Sequence, residues 1–203
     1  MSELKSVLTP VRSNPVRRAL RFFVAGSALF CLTVIVVAQI PPSRPGAWSE
    51  ARAEFVVELP HADVWRRLQN LRLAHHYVPG VNGVEILSDS DRGVGASRRV
   101  FQEGGGSLDE TVVEWAEERG FVIRLHRGEE GPPAPFERAR FRYWIEEGGT
   151  ERCRLSLTIF YQPLGGRAGE WLDGGLLNSE MNRRMEDLAG SMKRYYEMDD
   201  SVR

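Results

Sequence analysis

The longest unbroken pattern lies near the start of the chain. From Phe22 to Ile40 it reads FFVAGSALFCLTVIVVAQI, an apolar run whose clearly polar members are Ser27, Thr33 and Gln39. A hydrocarbon core of about 30 Å takes roughly 20 such residues as a helix, and a helix satisfies every backbone N–H and C=O internally, as lipid requires. Pro41-Pro42 ends the run, because proline lacks a donor and clashes with the preceding turn. Residues 41–51, PPSRPGAWSEA, read as a short, stiff linker.

Beyond the linker the period falls to two, the signature of half-buried strands. Ala51, Ala53, Phe55, Val57 and Leu59 alternate with Arg52, Glu54 and Glu58, and Pro60 closes the segment. Two short helices are expected next, over 61–68 with Val64, Trp65 and Leu68 at helical spacing, and over 71–77, closed by Pro79-Gly80. Strands follow at 84–87, 95–101, 108–115, 121–126, 139–145 and 153–161, with Gly-rich or Ser/Asp-rich turns between most of them. The last element is helical: Leu177, Met181, Met185, Leu188, Met192 and Tyr195 are spaced 4, 4, 3, 4 and 3 apart on an otherwise charged segment. The order strand, two helices, six strands, long helix predicts an α+β domain. In it, one curved antiparallel sheet buries its apolar face under the C-terminal helix.

Charge gives the apolar run an orientation. The net charge is −1, but residues 1–21 hold Lys5, Arg12, Arg17, Arg18 and Arg21 against Glu3, which leaves 22 basic and 27 acidic groups, or −5, on the remainder. A basic flank before the run keeps the N-terminus cytoplasmic and sends the domain to the outer side. The same charge order suits a cleaved signal peptide, with Val36 and Ala38 as the small residues before a cut. Either reading exports the domain, as a single-pass membrane protein or after cleavage. A domain at −5 has no broad attraction to phosphate backbones, which excludes nucleic acid as an expected partner. Cys31 and Cys153 are the two cysteines; one lies in the apolar run and the other in an expected strand, so they define no disulfide framework.

Several local motifs, in this order, resemble the START-like (SRPBCC) superfamily, in its polyketide cyclase/dehydrase and lipid-transport group. Val56-Val57-Glu58-Leu59-Pro60-His61-Ala62-Asp63-Val64-Trp65 is similar to its opening strand, Pro-Ala-type turn and Val-Trp helix. His75-His76-Tyr77-Val78-Pro79-Gly80-Val81 resembles the segment before its second strand. Gly93-Val94-Gly95-Ala96 resembles its Gly-x-Gly turn, and Gly149-Thr150-Glu151-Arg152-Cys153 a Gly-Thr-x-Val turn with Cys in the Val position. The closing helix through Leu188 and Tyr196 fits as well. The resemblance spans about 52–197 and implies a helix-grip fold: a seven-stranded antiparallel sheet wrapped around a long C-terminal helix, with an apolar cavity between them. The whole chain then divides into a basic cytoplasmic stretch (1–21), a transmembrane anchor or signal segment (22–40), the linker (41–51), the domain (52–197) and a tail (198–203).

Candidate chemistry is sparse. No Ser-His-Asp elbow, HExxH, CxxC or nucleotide fingerprint occurs, so no catalytic residue, metal ligand set or cofactor is expected. Gly93-Val94-Gly95 and Gly104-Gly105-Gly106 lack the Lys and the following helix of a phosphate loop and read as hairpin turns. Adjacent side chains of His75 and His76 point about 100° apart on a helix, too far to share one ion; one of them suits a cavity mouth. Glu110 and Glu114 fall on one strand face about 13 Å apart, too far to cooperate, and Leu108/Val112 competes with Thr111/Val113/Trp115 for the buried face. His126 is out of phase with Phe121, Ile123 and Leu125 and is expected to point outward. Arg138, Arg140 and Arg142 form a basic row, either solvated opposite glutamates of neighbouring strands or facing lipid headgroups.

The candidate ligand contacts are the inward aromatic and Met positions, with one histidine: Trp65, His76, Tyr77, Phe121, Phe141, Tyr143, Tyr161, Met181 and Met185. The expected function is membrane-tethered binding or carriage of a small hydrophobic ligand (lipid, quinone or polyketide-like). The alternatives are a cyclase/dehydratase-type enzyme using His75, His76 or Tyr77, and an envelope interaction module with a filled cavity.

Overall fold

The structure is a computed structural model, and it describes residues 48–166, 169 and 173–198. The apolar run 22–40, the basic stretch before it and most of the linker lie outside the described residues. Among the described residues, no helix is long and apolar enough to cross a membrane.

The elements are β1 (Ser49–Val57), α1 (His61–Leu68), a 3-10 turn at Leu71–Leu73, α2 (Ala74–Tyr77), β2 (Val81–Ile86), β3 (Ser97–Gln102), β4 (Ser107–Ala116), β5 (Gly120–His126), β6 (Phe136–Glu147), β7 (Cys153–Pro163), a π-helical turn at Asp173–Leu177 and α3 (Asn178–Glu197). The seven strands form one sheet in the order β1-β7-β6-β5-β4-β3-β2, with every pairing antiparallel. Six strands follow one another as hairpins. Only β1 crosses the chain, pairing with β7 from Ser49 opposite Tyr161 to Val57 opposite Cys153. The sequence motifs and element order therefore lead to a seven-stranded sheet with a long C-terminal helix, as in a helix-grip.

Boundaries differ from the expected ones for local reasons. β1 begins at Ser49, inside the expected linker, because Ser49 and Glu50 still find backbone partners on β7. It ends at Val57, short of Leu59. The β5–β6 hairpins lock through Gly120, whose φ is +151° and where a Cβ would stand 2.1 Å from the Tyr143 carbonyl oxygen. No other residue type fits there. Gly93 and Gly95, and Gly105 and Gly106, adopt positive φ in tight turns, which is the conformational role assigned to them above.

Helix α3 supplies the second layer. Met181, Met185, Leu188, Ala189, Met192, Tyr195 and Tyr196 are buried along one side of it, against Leu155, Leu157, Phe141 and the other inward residues of the sheet. Fully burying one such side chain is worth about 1.5–3 kcal/mol, so this stripe dominates the docking of the helix. Polar pins set its register at both ends. Lys193 Nζ donates to the Val56 carbonyl at 2.6 Å, Arg67 Nη1 to the Tyr196 carbonyl at 3.0 Å, and Asn178 Nδ2 to the Glu50 carbonyl at 3.1 Å. Ahead of the helix, buried Asp173 accepts from Tyr161 Oη at 2.6 Å and from Ser49 Oγ, tying the helix start to β1 and β7.

Candidate functional site

Two rows of the sheet's inner face fail to close on α3. The space between them is a cavity of about 290 Å³, lined by Leu108 and Glu110 of β4, Ile123 and Leu125 of β5, Phe141 and Tyr143 of β6, and Arg184, Met185, Asp187 and Leu188 of α3, with Val78 and Pro79 after α2. Arg184 and Asp187 are exposed, as residues at a rim are. Apolar side chains make up the rest of the wall apart from Glu110 and the Tyr143 phenol.

Glu110 enters the wall in phase with Leu108 and Val112, and β4 carries a bulge just beyond them. The register of β4 against β5 shifts between Val112 and Glu114, and one extra residue turns the side-chain alternation over. Before the bulge Leu108, Glu110 and Val112 face inward; after it Trp115 does, opposite Phe121. Leu108 and Val112 are thus inward before the bulge and Trp115 after it, whereas Thr111 of the second set lies on the outer face with His126. The expectation that Glu110 and Glu114 share a face is corrected: Glu110 is buried and Glu114 exposed.

Arg98 holds the Glu110 carboxylate. Its side chain is 1% exposed; Nε donates to Glu110 Oε2 at 2.6 Å and Nη1 to the Leu71 carbonyl at 2.7 Å. Two buried charges survive only when paired and hydrogen-bonded. Burial works against the guanidinium's charge, but Glu110, with the phenols of Tyr77 and Tyr143, outweighs it and raises the Arg98 pKa above its ordinary value. Arg98 Nη2 and the Tyr77 hydroxyl are buried with no hydrogen-bond partner among the described residues. Glu110 Oε1 is likewise unoccupied by any hydrogen bond among them, so the cavity wall presents an acceptor.

An aromatic chain backs this pair. Trp65 meets Trp115 edge-on at 5.2 Å between centroids, Trp115 stacks on Phe121 at 5.5 Å, Phe121 meets Tyr143 at 5.1 Å, and Tyr143 meets Phe141 at 4.6 Å. Tyr77 stands edge-on to Tyr143 at 6.5 Å and reaches Tyr195 at 5.8 Å. Burial pushes the Tyr77 hydroxyl's pKa up, against the pull of Arg98. Burial, with Tyr77 beside it, holds Tyr143 well above the ordinary phenol range. Both are therefore neutral groups at physiological pH and cannot act as proton acceptors.

Of the candidate contacts, the structure places Phe141, Tyr143 and Met185 in the cavity wall. Trp65, Tyr77 and Phe121 are buried behind it, and Met181 is buried one turn along α3. Tyr161 lies at the end of the sheet, bonded to Asp173 and packed on Phe136 at 5.3 Å. His76 is exposed and stacks on Tyr195 at 5.7 Å; His75 is exposed with Nδ1 at 2.9 Å from the Arg72 carbonyl. Neither histidine lines the cavity. Sequence reasoning missed Glu110 and Arg98. The available signal was a charge in phase with the apolar set on each strand, Ala96-Arg98-Val100 and Leu108-Glu110-Val112.

His126 also needs correcting. It lies on the outer face as expected, yet it is 8% exposed. Its Nδ1 sits 2.7 Å from the Gly128 carbonyl, which only accepts, so Nδ1 carries the hydrogen and Nε2 receives the Thr111 hydroxyl at 2.8 Å. Asp109, its cross-strand neighbour, takes a two-pronged bond from Arg99 at 2.7 and 3.0 Å and one from the Gly128 amide at 3.1 Å. Arg99 first, then Gly128, hold the Asp109 carboxyl below the usual carboxylate range against the opposing effect of burial. A second hollow, about 270 Å³, opens at the β6–β7 turn beside Val56, Glu146, Gly148, Arg152, Cys153 and Arg154; it lacks the aromatic wall. Among the described residues no three His, Cys, Asp or Glu side chains converge as a metal set.

The fold has many solved counterparts. A START superfamily protein from Mycobacterium smegmatis superposes with a TM-score of 0.59 at 15% identity, covering 73% of this chain and 97% of that one. The Zhui aromatase/cyclase from Streptomyces sp. R1128 gives 0.53 at 18% identity, with 74% and 92% covered. A Thalictrum flavum norcoclaurine synthase mutant with a transition-state analogue gives 0.55 at 14%, with 74% and 94% covered. No curated protein matches the chain significantly. At such identities the likeness carries the fold alone. The family model described as polyketide cyclase / dehydrase and lipid transport matches residues 50–197, nearly all of the described domain. The chain belongs to that family.

Proposed function

We propose that the domain binds and carries a compact hydrophobic ligand in the cavity between β4–β6 and α3. The observation that carries this reading is the cavity itself: an apolar, aromatic wall with one oriented carboxylate. Ligand pockets are built in this way, mostly apolar with a few fixed polar groups. Burial of ligand surface supplies the affinity, at about 25 cal/mol per Å². Glu110 Oε1 supplies orientation, accepting from a ligand hydroxyl or N–H. The volume of about 290 Å³ sits at the small end of the roughly 300–1,000 Å³ typical of such sites. That size favours a ring system such as a quinone head or a small polyketide, or one end of a longer chain, over a whole two-tailed lipid. It also counts against the module with a filled cavity.

The run 22–40 completes the proposal as an anchor. A domain held at the bilayer samples ligands where they partition, through a raised local concentration. Cleavage after Ala38 would instead release the same carrier on the outer side.

Native mass spectrometry of the full chain, purified from membranes in mild detergent and followed by organic extraction, tests the carrier. A stoichiometric apolar passenger of ring-system size is expected, and Met185→Trp should remove it while the fold persists by circular dichroism. A protein that is empty, and that takes up neither quinones nor aromatic polyketides, would overturn the reading. One observation favours an enzyme as the second reading, namely a carboxylate in the cavity wall. His75 and His76 lie outside that wall, and Tyr77 stays protonated and could serve only as an acid, so the base role would fall to Glu110. Chemical change of the bound passenger, abolished in Glu110→Gln without loss of binding, would establish it.

A further inference from the structure

The sheet's outer face carries a charge arrangement that ligand binding in the cavity does not use. We propose that the face around Arg124, Arg138 and Arg140 docks onto an anionic phospholipid bilayer.

The three arginines are exposed on adjacent strands, β5 and β6, with half-buried Arg142 beside them. Arg124 stands directly opposite Arg140 in the β5–β6 register, a like-charge cross-strand pair that is unfavourable by itself. No carboxylate among the described residues lies within ion-pair distance of any of the four. The other end of the same face is different: Arg52 pairs with Glu54 and, at 3.7 Å, with Glu146. A domain with net negative charge therefore concentrates unneutralised guanidinium groups at one place, and an anionic partner removes the repulsion. Guanidinium is the group suited to phosphate, through paired N–H donors.

Two rings give the patch an interfacial character. Arg140 lies 5.6 Å over Trp48, which is 40% exposed, and Arg142 lies 5.3 Å over Phe160. Indole next to cationic side chains is the pairing found at membrane–water interfaces. Chain length selects the bilayer over an acidic protein. Trp48 follows Ile40 by a connector of residues 41–47, which reaches at most about 25 Å when fully extended. The choice of occupant thus rests on the anchor reading of 22–40, whereas the charge argument does not.

The test uses the full chain in nanodiscs of phosphatidylcholine alone or enriched in phosphatidylglycerol. Phenylglyoxal labelling, read by mass spectrometry, compares Arg124, Arg138 and Arg140 with Arg66, Arg72 and Arg92 on other elements. Labelling of the first three is expected to fall in anionic discs by about fivefold per headgroup contact, with the second three unchanged, and high salt should reverse it. The exposed double variant Arg124→Gln/Arg140→Gln should lose the protection of Arg138. Equal labelling in both lipids would overturn the proposal, as would protection produced by polyglutamate and not by phosphatidylglycerol. Failure of the chain to enter neutral discs would sink the anchor reading alone, and phosphatidylglycerol vesicles added to the same protein would then test the face separately.

Discussion

The two faces of this sheet handle charge in opposite ways. On the inner face a single arginine, Arg98, is 1% exposed and is held by Glu110 at 2.6 Å and by a backbone carbonyl. On the outer face Arg124, Arg138 and Arg140 remain in water with no carboxylate partner. Burial explains the difference. Leaving water costs a charge several kcal/mol unless a counter-charge and hydrogen bonds replace the hydration, whereas an exposed charge is screened within about 8–10 Å. The inner pair is fixed in position and can orient a ligand. The outer cluster is available, and an anionic surface is what it suits.

The largest effect expected from breaking this contrast is on the inner face. Glu110→Leu strands Arg98 without a counter-charge and should cost about 3–5 kcal/mol in urea unfolding. Arg98→Met with Glu110→Leu removes both charges and should recover most of that loss. If the single variant costs less than about 1 kcal/mol, then Arg98 is not buried as described.

Next comes pH, where the faces fail at opposite ends. Tyr77, Tyr143 and Tyr196 have hydroxyls raised by burial above their unfolded value near 10. Their contribution is full below that value and is lost as pH climbs from there toward the folded pKa. The urea midpoint should therefore fall above about pH 10, and Tyr143→Phe should flatten the fall. Asp109, on the outer face, has the reverse sign. Its pKa is depressed by Arg99 and Gly128, so its contribution is full above the unfolded carboxylate range. It disappears as pH drops through the folded value. Asp109→Asn should cost about 1 kcal/mol at neutral pH and nothing at the acid end, where the two unfolding curves should meet.

The smallest effect sharpens the outer side of the comparison. Arg124→Gln relieves its opposition to Arg140 and should stabilise the protein by a few tenths of a kcal/mol, read as a raised midpoint. A loss of stability instead would mean that Arg124 has a partner on this face.

Much of this architecture was legible in the chain. Period-two alternation placed seven strands, the 4-4-3-4-3 spacing placed α3, and Gly-rich stretches placed turns. These are properties of backbone geometry and solvent exposure, which neighbouring residues express on their own. The motifs at 56–65, 75–81, 93–96 and 149–153 pointed to the family that the match over 50–197 shows. The inner position of Phe141, Tyr143 and Met185 also followed from their phase.

Tertiary structure decided the rest. A bulge is one residue of register between two strands; it let Trp115 join the aromatic wall although Glu110, in phase with Leu108 and Val112, faces the same way. The phase of Arg98 with Ala96 and Val100 pointed inward, but the counter-charge that makes its burial tolerable, Glu110, is 12 residues along the chain and 2.6 Å away in space. His126 became buried through Thr111 and the turn at Gly128, and Arg140 came to oppose Arg124 and not a glutamate, through strand pairing. Whether the inner face closed or left a cavity depended on how far α3 stands from β4–β6. Local sequence therefore determined which side chains seek the interior, because hydrophobic periodicity is a short-range signal. Which of them meet, and where space remains between them, was decided by register and packing across the fold.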